Sequence, residues 1–538
     1  MTVVLDGESL TPEDVAAVAR DEERIEVAEP ARERLRASRA RVEDVIESGE
    51  AVYGLNTGFG ELVDERIPPA EIEQLQTNLL RSHAAGAGRE LEREEVRAML
   101  VARINALVTG YSGIRETVVD HLVAMCNEGV HPVVRSRGSL GASGDLAPLA
   151  HASLVVIGEG EADVDRHDAE DGAPDTKRLD GEAALAEIGL EPLSLQPKEG
   201  LALINGTQLT AGLAALAVVD GERLVRGADA AGALTIETSL GTTATADRAI
   251  HEARPHTGQL ESARTVRELT AGSEIVEAHR NCDRVQDAYS LRCLPQVHGA
   301  VRDALEHLRE AVEVELNSAT DNPLVFAGDR VDARASGTDR AAVLSGGNFH
   351  GAPLALRLEY ARLALTDLAA ISERRIDRLL NPNLQEPHLP PFLAADSGVE
   401  SGYMIAQYTA AALVNELRSL GAASADNTPV SGGQEDHVSM SAQSALHVRR
   451  AVENATQVVG AELVCGAQAA EYVDDAFETD DSLSLGVGTG AVYELVREVV
   501  PSLKADRPVH DDVDRAAALL SRGLVDESIA RATGSSGN

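Results

Sequence analysis

Gly138-Ser139-Leu140-Gly141-Ala142-Ser143-Gly144-Asp145-Leu146-Ala147-Pro148-Leu149-Ala150-His151 is the stretch from which the rest of the chain can be read. Its small residues, Gly138, Ser139, Gly141, Ala142, Ser143 and Gly144, allow a sharp, closely packed turn. Glycine tolerates positive φ, and no bulky side chain crowds its neighbours. In such a turn the amide nitrogen of Gly144 can approach the carbonyl carbon of Ala142. Attack there, with loss of two waters, would close a five-membered ring and turn Ser143 into a dehydroalanine, an electrophile made from the chain itself. The tripeptide alone is no signal, because Ala335-Ser336-Gly337 repeats it in an ordinary polar context. The flanks carry the information: Gly138-Ser139-x-Gly141 before it, and Asp145-Leu146-x-Pro148-Leu149-Ala150-His151 after it.

With 538 residues, 43% of them hydrophobic, the chain can bury a large core. Aromatics make up only 2%, with no Trp, so each one is worth locating. The formal net charge of −40, with Lys177, Lys198 and Lys504 the only lysines, argues against a nucleic-acid partner, which would need a basic face. Self-repulsion of that size points to a salt-rich cytoplasm, where charges are screened within a few Å. The N-terminal Met1-Thr2-Val3-Val4-Leu5-Asp6 has no basic leader, and no apolar run reaches membrane-spanning length, so a soluble cytoplasmic protein is expected. Cys126, Cys282, Cys293 and Cys465 lack metal-ligand or C-x-x-C spacing and fit reduced, mostly buried thiols; no metal is expected.

Thr11-Pro12-Glu13-Asp14 predicts a helix start: a capping hydroxyl, proline in the first turn, then acids at the positive end. A second helix is predicted over 31–48, with Leu35, Val42, Val45 and Ile46 on one face. Val52 to Gly60 sets Tyr53 and Phe59 among three glycines, which predicts a structured loop. Leu154 to Ile157 reads as strand-like, and 161–180 as an acidic surface excursion. Helices are predicted over 299–316, 353–380 and 438–473, and 402–421 is apolar nearly all round, hence central in a bundle. The fold class is mainly α, long packed helices with short strands in the N-terminal third. Three regions are expected: 1–200 with the small-residue loop, 201–475 as the long-helix bundle, and 476–538 as a C-terminal helical segment.

Polar interruptions sit between these helices. His83 ends a helical run, and Asn205-Gly206-Thr207-Gln208 breaks an apolar one; such groups need partners when buried. Gln286, Tyr289 and Arg292, at i, i+3 and i+6, would point the same way on a helical turn. Ser345 to Gly351 presents Phe349 on a glycine-rich loop. Glu435 and Asp436 precede the 438–473 helix, where acids can serve simply as caps.

The 138–151 string resembles the signature of the histidine/phenylalanine/tyrosine ammonia-lyase family. From about residue 50 to 500 the chain carries further motifs in that family's order: Tyr-Gly-Leu-Asn-Thr-Gly-Phe-Gly, Ser-His-Ala-Ala-Gly, Asn-Gly-Thr-Gln, Asn317 to Pro323, Gly-Asn-Phe-His and Gln-Glu-Asp-His-Val-Ser-Met. The resemblance implies the helical fold of the fumarase/aspartase-like superfamily, a homotetramer with sites at subunit junctions, and a 4-methylidene-imidazol-5-one formed from Ala142-Ser143-Gly144. The acidic 161–180 segment is longer than the family pattern.

The resemblance lies with the branch that converts L-histidine to trans-urocanate and ammonia. That chemistry needs an electrophile, a positioned base and charge stabilisation, since the β-hydrogen is feebly acidic and ammonia leaves poorly. By resemblance, Tyr53 is the β-proton base and Arg292 the bidentate carboxylate clamp. Tyr289 and Asn205 help form or hold the electrophile and substrate, Gln286 is a hydrogen-bond partner, and Phe349 packs near the ring. His83 and Glu435 set substrate choice, because a carboxylate can bind an imidazole N–H that a phenyl ring lacks. A tyrosine or phenylalanine lyase or aminomutase is the nearest rival. A pyridoxal enzyme would need a Schiff-base lysine, with Lys198 the remaining candidate, and no pyridoxal phosphate is expected. A scaffold whose loop never cyclises is the non-enzymatic alternative.

Overall fold

The computed structural model describes residues 2–49, 52, 54, 68, 71–166, 175–280, 284–331, 336–425, 427–477 and 482–534. The chain forms two compact units: residues 1–219, 308–359 and 422–446 make the first, and 220–307, 360–421 and 447–538 the second. Four long helices, Gln208–Thr238, Leu294–Leu316, Ala352–Leu380 and Ser441–Ala470, contribute residues to both. The helices predicted over 299–316, 353–380 and 438–473 are therefore present, with their ends moved by a few residues.

In the first unit, strands Thr2–Leu5 and Arg24–Val27 pair in parallel around the helix Pro12–Arg20. Thr11 caps that helix, accepting from Asp14 N at 3.1 Å, while the Asp14 carboxylate accepts from Thr11 N at 3.0 Å. The helix Glu29–Ser48 buries Leu35, Ser38, Val42 and Val45, the predicted face, with Ile46 packed beside them. The helix Arg93–Val108 is buried nearly all round and makes the centre of this unit.

Leu154 to Ile157 is not a strand. It completes the helix Leu146–Val156, which starts directly after the small-residue loop. A short apolar run rich in β-branched residues looks the same in a buried helix and a buried strand; here Val155 and Val156 are buried and Leu154 and Ile157 partly so. The acidic excursion is a hairpin: Glu161–Arg166 pairs antiparallel with Asp175–Asp180, and its first strand also pairs with Val130–Pro132. Strands are not confined to the N-terminal third. Leu324–Ala327, Ser336–Gly337 and Ala341–Leu344 form a three-stranded antiparallel sheet.

The second unit is helical among its described residues. Its core holds an ion pair between fully buried Arg375 and Glu462, at 2.5 Å, which Thr235 and Ser372 complete by donating to Glu462 at 3.0 and 2.6 Å. Those four side chains come from three of the long helices. The helix Met404–Ser419 is not the central helix that its apolar composition predicts: it buries only Ala406, Ala410, Val414 and Leu417 and leaves Ile405 and Tyr408 49% and 60% exposed. Its apolar residues cover more than the face that this chain can occupy. Cys126 and Cys465 are buried free thiols, and Cys293 is a partly exposed one. No helix among the described residues is long and apolar enough to cross a membrane.

Candidate active site

The small-residue loop folds as a knot of short contacts. Gly141 and Gly144 both take positive φ, +66° and +76°. A Cβ at Gly141 would lie 2.2 Å from Ser439 Oγ, and one at Gly144 would lie 2.2 Å from Gly206 O. Only glycine fits at either place. Asp145 N donates to Gly206 O at 2.6 Å, so the loop lies against the Asn205–Gly206 turn. The buried Asp145 carboxylate accepts from Ser139 Oγ at 2.7 Å and Thr210 N at 2.8 Å, while burial pushes its pKa up.

Of the three residues expected to cyclise, Ala142 and Gly144 are buried and Ser143 is partly exposed, so its side chain is the one presented. Asn205 Nδ2 donates to Ser143 O at 2.8 Å. Ser143 Oγ donates to Glu435 Oε1 at 2.8 Å. Ala142, Ser143, Asn205, Phe349 and Glu435 line one cavity of about 720 Å³, with Leu201, Asn322, Gln434, His350 and His437 among the other walls.

The polar break at 205–208 proves to be both structural and site-facing. Fully buried Arg103, lowered to about 10 by desolvation, donates to Asn205 O at 3.0 Å and Gln208 Oε1 at 2.6 Å. Gln208 Nε2 in turn donates to Thr320 Oγ1 at 2.6 Å. This holds the Asn205 backbone while its side chain reaches Ser143. Lys198 is buried against Asp321 at 2.6 Å, and burial lowers its pKa. An ammonium locked in that pair is not placed as a Schiff-base lysine.

His83 is the last residue of the helix Ile72–His83. Its Nδ1 meets Leu79 O at 2.8 Å; a carbonyl only accepts, so the proton sits on Nδ1 and Nε2 keeps its lone pair. Burial lowers the His83 pKa, and the Glu435 charge opposes that shift. Glu435 is not a helix cap. The long helix starts at Ser441, and residues 434–440 are irregular, reached through Ser431, Gly432 and Gly433, all at positive φ.

Tyr53 lies outside the described residues. Gln286, Tyr289 and Arg292 belong to the second unit and are not among the residues lining this cavity. They converge on one another, but not along one helix: the helix is only Tyr289–Arg292, and Gln286 precedes it. Arg292 Nη1 donates to Gln286 Oε1, and the Arg292 guanidinium sits 5.2 Å from the centroid of the 72% exposed Tyr289 ring. Among the described residues no group of three or more His, Cys, Asp or Glu is arranged to hold a metal.

The model of the aromatic amino acid lyase family matches residues 10–498. The chain belongs to that family. A "Probable histidine ammonia-lyase" of Halobacterium salinarum is 64% identical over 530 residues, covering 98% of each chain. Among solved structures, the histidine ammonia-lyase of Trypanosoma cruzi superposes with TM-score 0.87 at 39% identity, over 99% of this chain and 95% of that one. The tyrosine aminomutase of Streptomyces globisporus superposes with TM-score 0.88 at 38% identity, over 99% of each. His350, His437, Gln434 and Asn322 share the cavity with Phe349 and Glu435 but are not among the site residues expected from the sequence. Each stands inside a motif already quoted, which was the available signal.

Proposed function

We propose that the protein removes ammonia from L-histidine to give trans-urocanate, using a 4-methylidene-imidazol-5-one built from Ala142, Ser143 and Gly144. The observation that carries this is Ser143 facing the Glu435 carboxylate across one cavity, at 2.8 Å. Curated relatives 45–48% identical, besides the halobacterial one, are named histidine ammonia-lyase.

The loop fits the group. Gly144 N would bond to Ala142 C. The Ala142 oxygen leaves as water with the Gly144 and Ser143 amide hydrogens, and the Ser143 hydroxyl leaves as water with the Ser143 α-hydrogen. The buried Ala142 and Gly144, with backbone packed on both glycines, favour closure over hydration. When formed, the group supplies an electrophilic methylidene carbon conjugated to the Ser143 carbonyl. Asn205 Nδ2, already on that oxygen, draws electron density from it. Asn205 Oδ1 has no partner among the described residues and is an acceptor for the substrate ammonium. Loss of the Ser143 hydroxyl releases the Glu435 carboxylate to accept the imidazole N–H, with His83 the second residue that sets substrate choice. Tyr53 takes the β-proton and Arg292 holds the carboxylate, with Gln286 and Tyr289 beside it.

A homotetramer that completes the site at subunit junctions is supported by the exposed apolar stripe Leu356, Tyr360 and Leu363 on one helix face, 67%, 48% and 57% exposed. The charge of −40 supports a salt-rich cytoplasm. A tyrosine or phenylalanine lyase or aminomutase is the second reading, favoured by the tyrosine aminomutase likeness. The deciding experiment pairs intact mass with urocanate absorbance. The purified chain should lack the mass of two waters and form urocanate from histidine but no product from tyrosine. Ser143→Ala should keep both waters and lose activity by about 10³-fold or more. An unshifted wild-type mass would sink the mechanism.

A further inference from the structure

The cavity wall carries two imidazoles to which the proposed reaction gives no role. His350 and His437 stack with ring centroids 5.9 Å apart and planes within 5° of parallel, and both line the cavity that holds Ser143 and Glu435. Both nitrogens of His350 are engaged. Nε2 meets the backbone carbonyl of His437 at 3.2 Å, and Nδ1 meets the backbone nitrogen of Ala352 at 3.3 Å. A carbonyl can only accept and an amide N–H can only donate, so the His350 proton resides on Nε2.

That ring therefore bridges two segments that each present a residue to the substrate space. Phe349 directly precedes His350, and Glu435 lies two residues before His437. The other fastenings of these segments run to third partners, among them the neighbouring carbonyls of Leu140 and Gly141. Gly346 N donates to Asn322 Oδ1 at 2.7 Å, and Gly351 N to Gly141 O at 2.9 Å. On the other segment, Val438 N donates to Asn427 Oδ1 at 2.9 Å, and Met440 N to Leu140 O at 2.8 Å. Among the described residues, His350 is the side chain that ties the 345–351 loop directly to the segment 434–438. The latter follows three consecutive residues at positive φ and is largely exposed; its backbone is held from its own stretch of chain, Glu435 O accepting from Val430 N at 3.0 Å and Asp436 O from Asn427 Nδ2.

We propose that His350 is a positioning residue: in its Nε2–H form it sets the spacing between Phe349 and Glu435 and holds the His437 ring as the cavity wall beside them. The consequence rests on the histidine reading above, since Glu435 must meet an imidazole N–H at hydrogen-bond distance. Loosening the clip leaves the electrophile intact and moves the group that recognises the substrate.

The test compares His350→Gln, whose amide keeps one donor and one acceptor, with His350→Met, which fills similar space and keeps neither. Full-length protein in high salt is assayed with histidine, and intact mass checks the ring. Both variants should lack the mass of two waters, as wild type does. His350→Met should lose about ten- to a hundredfold in kcat/KM, carried mainly by KM, and His350→Gln should recover to within about threefold. Wild-type kinetics for His350→Met, or a loss in His350→Gln as deep as in His350→Met, overturns the proposal. Should His350→Met not fold, the ring ¹⁵N shifts of His350 in the intact wild-type protein decide: an Nε2–H ring supports the clip, and an Nδ1–H or doubly protonated ring overturns it. A wild-type chain that forms the ring yet gives no urocanate refutes the substrate reading instead, and the ¹⁵N measurement still decides the clip.

Discussion

Glu435 stands in the cavity wall with its carboxylate on the Ser143 hydroxyl. Two acids before a long helix read equally well as caps, yet the helix begins only at Ser441, and Glu435 instead accepts from Ser143 Oγ at 2.8 Å. A charge-assisted hydrogen bond to a substrate imidazole is worth about 1.5–3 kcal/mol. Glu435→Gln should therefore raise KM for histidine by roughly ten- to a hundredfold while the variant chain still lacks the mass of two waters. Steady-state kinetics beside intact mass reads both, and an unaltered KM would remove Glu435 from substrate recognition. Asn205 and Ser143 were legible as site residues because the motifs hold them. His350 and His437 stood in equally plain motifs, but which ring nitrogen bonds to what is set by chain segments far apart in sequence.

At the scale of elements, the 138–145 loop is defined by what surrounds it. The Gly141 carbonyl accepts from both Gly351 N, at 2.9 Å, and Ser439 Oγ, at 3.0 Å, so three segments meet on one residue. Gly141→Ala forces a side chain into positive φ and against Ser439 Oγ, a strain of about 1–3 kcal/mol. We expect a lower melting temperature and a fraction of chains retaining both waters, measured by calorimetry and intact mass. Full cyclisation with an unchanged melting temperature would show that the knot is not needed for closure. The long helices were readable from their period because burial on one face leaves a regular imprint. Leu154 to Ile157 was not, since four apolar residues in a row carry no period to separate helix from strand. The helix Met404–Ser419 misled in the opposite way, through apolar residues that lie on the surface of this chain.

For the whole molecule, the charge of −40 sets the conditions of folding. Desalting lengthens screening from a few Å to tens of Å, so the acidic surface repels itself and structure is lost; circular dichroism across a KCl series reads this. Full helicity and an unchanged melting temperature at low ionic strength would refute it. Acid adds a second stress at fixed high salt. Burial lowers the pKa of His131, although Asp165 at 3.0 Å pulls it up. A folded value below the ordinary 6.5 means that the unfolded chain binds more protons. The stability from neutral His131 is present above about pH 6.5 and lost as pH falls through the folded value. Wild type should thus lose more melting temperature between pH 7 and pH 5 than His131→Gln does; equal slopes would contradict the assignment.

The sequence by itself determined the helical class, the small-residue loop and its flanks, and the set of residues from which a lyase site is drawn. These are local properties: period, turn chemistry and motif spacing survive without knowing the partner segments. Tertiary structure alone decided that Glu435 faces Ser143, that Arg103 orders the Asn205 turn, that Lys198 is spent on Asp321, and that His350 spans the His437 carbonyl and the Ala352 nitrogen. Each of these depends on a donor and an acceptor brought together from distant parts of the chain, and hydrogen-bond partners leave no periodic trace along it.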